Sequence, residues 1–137
     1  MSTYKALAVA KGVRISPRKV GVVASLVRGR SVADALVILE HVPRRAAIDV
    51  SKTIKSAAAN ATNNHNVKTD GLQIVEISVT PGARLKRYRP ASHGRALPFQ
   101  RKTSHIRVVV EGELRAAKTA AEKKESSSVA KAKEGKK

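Results

Sequence analysis

Apolar and polar residues alternate with a period of two in three stretches of the chain, which is the signature of a half-buried β-strand. From Tyr4 to Val13, Ala6, Ala8 and Ala10 alternate with Leu7, Val9 and Lys11. From Ile74 to Thr80, Val75, Ile77 and Val79 are expected on one face and Glu76, Ser78 and Thr80 on the other. A third run sets Ile106, Val108 and Val110 against Arg107 and Val109. Between the first and second strands the period changes to that of a helix. Ser16 and Pro17 read as an N-cap and first helical residue, and Val20, Val23, Ala24 and Val27 follow on one helical face. Gly29 stands where a glycine ends a helix. Ser31 and Asp34 open a second helix with a Ser-x-x-acid cap, its buried stripe being Val32, Ala35, Leu36 and Leu39. Pro43 is placed to start a third helix, which runs through Ala47, Ile48, Ile54, Ala57, Ala58 and Ala61 and ends in Asn63, Asn64, His65 and Asn66. Asn tolerates the left-handed conformation that closes helices. Asp70 and Gly71 mark a turn before the second strand.

One strand, three helices and a strand pair predict an α+β fold. Its core is a small antiparallel three-stranded sheet with three helices packed against it. The first strand has to join the other two, because two strands alone are marginal in water. The segment from Pro81 to His105 fits neither period. It has too little apolar character to bury a face, and a long loop of that kind inside a small domain normally has a function. It carries Arg84, Lys86, Arg87, Arg89, Arg95, Arg101 and Lys102, with no acid between Glu76 and Glu111. We read it as a long extended β-hairpin arm over about residues 80–105, anchored in the sheet and projecting a basic tip roughly 20–25 Å at strand rise. The domain is expected to occupy residues 1–112. Residues 113–137, rich in Ala, Lys, Glu and Ser, form a basic low-complexity tail too polar to offset its own ordering entropy when free.

Charge now narrows the partner. The chain has 137 residues, 28 Lys and Arg against 10 Asp and Glu, and a formal net charge of +18. Such an excess repels itself and favours a polyanion, with nucleic acid first. A second basic group, Lys11, Arg14, Arg18, Lys19, Arg28 and Arg30, precedes the first acid, Asp34, and surrounds the start of the first helix, itself an anion-favouring position. Arg44 and Arg45 open the third helix, where the dipole disfavours cations. No stretch approaches the ~20 apolar residues of a membrane span. No continuous apolar run of signal-peptide length occurs near the N-terminus, and cytosol is the expected compartment. There is no Cys, and His41, His65, His93 and His105 are too scattered to bind metal together, so neither metal nor cofactor is expected. The neighbours Ser104 and His105 point to opposite strand faces, poor geometry for activating a nucleophile. An enzyme is not expected. The paired aromatics of single-strand RNA modules are absent. Shape and phosphate recognition of structured RNA is therefore favoured over base reading. A free nonspecific nucleic-acid chaperone or nucleoid-like protein is the alternative.

Several separated motifs, in order, resemble the bacterial L twenty-two (uL twenty-two) family of large-subunit ribosomal proteins. They are ISPRKV at Ile15 to Val20, VRG at Val27 to Gly29, AAN at Ala58 to Asn60, PGARLKR at Pro81 to Arg87, GRA at Gly94 to Ala96 and KTSHI at Lys102 to Ile106. The resemblance covers roughly Tyr4 to Glu111. It implies a structural constituent of the large ribosomal subunit that binds its rRNA and supports early subunit assembly. It further implies that the hairpin tip lines the nascent-peptide exit tunnel during translation. The rRNA-binding residues it implies are Arg14, Ser16, Pro17, Arg18, Lys19, Arg84, Lys86, Arg87, Arg89, Arg95, Arg101, Lys102, Thr103, Ser104 and His105. The implied tunnel tip is Arg87, Tyr88, Arg89, Pro90, Ala91, Ser92, His93, Gly94 and Arg95. Large-subunit rRNA, neighbouring large-subunit ribosomal proteins and the nascent polypeptide would be the partners.

Overall fold

The computed structural model describes residues 3–114. Three long strands and three helices follow one another as β1 (Thr3–Val13), α1 (Pro17–Val27), α2 (Val32–His41), α3 (Arg45–His65), β2 (Gln73–Pro90) and β3 (Ala96–Glu113), with a single 3-10 turn at Ser92–Gly94 between the last two. The sheet has the order β1-β3-β2, and both pairings are antiparallel. The fold is therefore α+β, as the pattern predicts, and the first strand does join the hairpin.

The core is built from small aliphatic side chains. Ala6 and Ala8 face inward from β1, while Leu7 and Val9 are exposed on the far face. α3 lays Ala46, Ala47, Val50, Ile54, Ala57 and Ala61 against the sheet, a stripe recurring every three to four residues. Alanine on both sides lets helix and strand backbones approach closely. α1 contributes Val20, Val23, Ala24 and Val27, and α2 contributes Val32, Ala35 and Leu39. From the sheet come Ile74, Ile77, Ile106, Val108 and Val110. Asn60 Nδ2 donates to the Leu7 carbonyl at 3.0 Å, tying α3 to β1 through a polar contact.

Helix ends follow the sequence with two differences. The Ser31 hydroxyl accepts from the Asp34 amide at 3.1 Å and donates to the Asp34 carboxylate at 2.7 Å, so this cap is made in full. Asn66 adopts the left-handed conformation (φ 50°, ψ 37°), and the following amide of Val67 closes on Ala61 O at 3.1 Å. Ser16 occupies the N-cap of α1, but its side chain makes no capping bond; its carbonyl instead accepts from the amides of Lys19 and Val20. α3 begins at Arg45, not Pro43, because Arg44 remains extended (φ −124°, ψ 130°).

The second strand corrects the expected face. A bulge shifts the register between Ile74, opposite Val110, and Glu76, opposite Val109. Ile74 and Ile77 are both buried, whereas Val75 is 45% exposed. An extra residue in one strand moves what precedes it to the other face, and simple alternation cannot reveal it. At the other end, the ladder runs slightly past the expected domain border. Lys68 N donates to Glu113 O at 2.9 Å, and Leu114 bridges to Val67. Gly112 is fixed there by close packing, since a Cβ would lie 2.7 Å from Val67 Cγ1 and 2.8 Å from Leu72 Cδ2. The expected tail otherwise lies outside the described residues.

Candidate nucleic-acid interface

β1 stops pairing with β3 at Val13, opposite Ser104. Beyond that point β2 and β3 continue as a two-stranded ribbon. After a bulge between Pro81 and Arg84, the ribbon runs from Arg84 opposite Lys102 to Pro90 opposite Ala96. Six residue steps at strand rise give this ladder a reach of about 20 Å.

The root of the ribbon is held by residues that the sequence assigns to RNA contact. Thr103 Oγ1 donates to Ala83 O at 2.7 Å. His105 Nδ1 accepts from the Gly12 amide at 3.0 Å, within the β1 irregularity between Ala10 and Val13. Gly82 sits where a Cβ would come 2.5 Å from Thr103 Oγ1 and 3.2 Å from His105 Nε2, so only glycine passes without displacing the root. Ser104 has 0% exposure and its hydroxyl finds no hydrogen-bond partner among the described residues. Ser104 thus faces the core, Thr103 is covered at the root of the ribbon, and His105 is half-buried. β3 itself carries no extra residue here: Ser104 lies on the core face with Ile106 and Val108, while Thr103 shares the opposite face with His105 and is covered by the irregular Pro81–Arg84 stretch of β2.

The expected cations project instead. Arg84, Lys86, Arg87, Arg89, Arg95, Arg101 and Lys102 are all exposed. Residues directly opposite in an antiparallel pair share a face. One face therefore carries Arg84 and Lys102, then Lys86 with Gln100, then Tyr88 with Pro98; the other carries Leu85 with Arg101, Arg87 with Phe99, and Arg89 with Leu97. The Arg89 guanidinium lies 4.9 Å from the Phe99 ring centre, the one aromatic brace on the ribbon. Both faces are thus cationic. At the end, His93 (φ 58°, ψ 35°) and Gly94 (φ 67°) take left-handed conformations, and the Ala91 amide donates to Arg95 O at 2.8 Å. Tyr88 is 71% exposed.

At the body, the start of α1 meets the root of the ribbon. A cleft of about 220 Å³ is lined by Ser16, Pro17, Arg18, Pro81, Gly82, Arg84, Lys102 and Thr103, joining two groups of expected residues that are far apart in sequence. Arg28 and Arg30 turn elsewhere. Arg28 Nη2 donates to Ile77 O at 3.0 Å and so braces α1 against β2, whereas Arg30 Nε donates to Leu26 O at 2.9 Å and closes the end of α1. Among the described residues, the ion pairs are Lys5–Glu111 and Lys68–Glu113, both away from the ribbon. Among the same residues there is no group of three His, Cys, Asp or Glu able to hold a metal, and no helix long and apolar enough to cross a membrane.

Fold and surface together define a class: an α+β protein with an acid-free, cationic two-stranded arm. The comparisons with known proteins are more particular. The family model described as Ribosomal protein L22p/L17e matches residues 8–111. Large ribosomal subunit protein uL22 of Clostridium perfringens is 49% identical over 106 residues, covering 77% of this chain and 96% of that protein. The uL22 proteins of Oceanobacillus iheyensis (51% identical, 94% of its length) and Desulfitobacterium hafniense (49% identical, 93% of its length) match over the same share of this chain. The chain belongs to the L22p/L17e family of ribosomal proteins, a family of structural components rather than enzymes.

Proposed function

We propose that this protein is a structural constituent of the large ribosomal subunit whose arm is enclosed by large-subunit rRNA in the cytoplasmic ribosome. The observation that carries this is the distribution of charge on the ribbon. Cations on one face only would suit a flat polyanion. Cations on both faces, with no acid from Ile77 to Val110, suit a ribbon with phosphates on either side. Arg84 and Lys102 stand directly opposite each other, a like-charge pair that is destabilising until an anion lies between or beside it. The ribbon also buries little of its own surface, and a hairpin without a third strand or a covering helix is marginal in water. A partner that surrounds it removes both costs.

In this account the body seats the protein on the subunit through Arg14, Arg18 and Lys19, and contact with more than one RNA segment lets it act early in subunit assembly. The tip from Arg87 to Arg95 lies at the far end of the ribbon, and membership of the uL22 family supports its placement in the wall of the nascent-peptide tunnel. Its partners there are rRNA, neighbouring large-subunit proteins and the emerging polypeptide. No cofactor takes part.

Binding to transcribed large-subunit rRNA, measured beside duplex DNA and an unrelated structured RNA of equal length, tests the proposal. We expect saturable rRNA binding that a large excess of the other two does not displace at moderate salt. Equal affinity for all three would replace this account with a free nucleic-acid chaperone.

A further inference from the structure

A second basic recess lies beside the base of the arm. It is a cleft of about 500 Å³ where the β1–α1 connection, the start of α1, the start of α3 and the returning strand β3 converge. Arg14, Lys19, Arg44, Arg45, Arg101 and Lys102 line it, and no acid does. None of these six takes part in an ion pair among the described residues. Arg44 and Arg45 are exposed, so neither is held there by packing.

Two helices begin at this cleft, with Ser16 and Ala46 in its wall. Neither helix is capped by a side chain, and neither has an acid in its first turn. α2, which does not open here, has both: the Ser31 cap and Asp34. The positive ends of two helix dipoles thus face the same recess as six cations. Within a free protein this arrangement is repulsive throughout, and an arginine pair at a helix start adds to the repulsion. A bound anion adds an attraction to each cation and to both helix starts, which offsets that repulsion.

We infer that this cleft is a further seat for the phosphate backbone of rRNA, in which Arg44 and Arg45 act with Lys19 and Arg101. The inference rests on the rRNA-binding account given above and adds Arg44 and Arg45, which lie outside the arm and its flanking motifs, to the contacts expected of Lys19 and Arg101. Ser16 and Lys102 line both this cleft and the smaller one at the root of the ribbon. The two recesses therefore form one track, which leads a single RNA strand from the start of α3 past the start of α1 to the arm. A continuous track of this kind favours a polymer over a free phosphate compound.

The test uses the full chain, transcribed large-subunit rRNA and a series of KCl concentrations. Each phosphate contact contributes just under one unit to the slope of log affinity against log salt. R44A/R45A is expected to lower that slope by about one to two units, while K52A, on the outer side of the same helix, leaves it unchanged. The thermal midpoint of R44A/R45A should match or exceed that of the parent, because the substitutions remove repulsion at a helix start; reduced binding is then not a folding defect. If R44A/R45A keeps the parental slope while Arg87→Ala still lowers it, the cleft seats no phosphate and the inference fails with the arm account intact. If the parent itself shows no salt-dependent rRNA binding, both fail. Excess inorganic pyrophosphate should compete weakly; pyrophosphate that binds the cleft tightly without RNA would point to a small-molecule site and overturn the track.

Discussion

Glycine marks two positions at which an added Cβ would have to displace a neighbouring side chain. At Gly112 an added Cβ would meet Val67 and Leu72 in the body, where neighbours are packed by α3 and the sheet. Overpacking of a filled core typically costs about 1–3 kcal/mol, so Gly112→Ala should lower the urea midpoint correspondingly without changing RNA contacts; an unchanged midpoint would mean that this end of the sheet yields. At Gly82 the obstruction is Thr103 and His105, which hold the root of the arm. The charged residues follow different rules. Arg84 and Arg87 are exposed on opposite faces of the ribbon, so each substituted to Ala should reduce the salt slope of rRNA binding by about one unit and leave stability nearly unaltered. A slope equal to the parent's would remove that residue from the interface. Residue identities were easy to read in the sequence where one side chain acts alone, as at the Ser31 cap or Asn66. They were hard to read where backbone irregularity decides, as for Thr103, a polar residue of a basic strand that the bulged Pro81–Arg84 stretch of the neighbouring strand covers.

At the scale of elements, the three helices and their buried stripes were legible because each stripe repeats for at least two turns. The long strands were legible only in part. Period two identified the sheet portions of β2 and β3, but the segment from Pro81 to His105 lacks that period and still pairs as far as Pro90 and Ala96. Strand pairing in the arm comes from backbone continuity with the sheet, which no side-chain pattern advertises. The bulge near Val75 escaped for the same reason. Because the ribbon contacts little of the body beyond its root, the two should separate cleanly. Replacing Leu85–Arg95 by a short glycine link is expected to leave a cooperatively unfolding domain with near-parental stability. It should still bind rRNA through the clefts, with lower affinity. Loss of cooperative unfolding would show that the arm is part of the core rather than an appendage.

For the whole molecule, net charge of +18 on 137 residues favours a polyanion as partner, and the distribution of that charge distinguishes the candidates. A nonspecific chaperone needs only an accessible basic surface, whereas an arm cationic on both faces gains its full binding energy only when enclosed. The most direct measurement is sedimentation of a cell lysate through a sucrose gradient, before and after a high-salt wash, with this chain followed by immunoblot. The account predicts stoichiometric co-migration with the large subunit that survives the wash, because an enclosed arm cannot leave when counterions merely compete at the surface. A chain that remains at the top of the gradient, or that spreads over all nucleic acid and is released by salt, would contradict it.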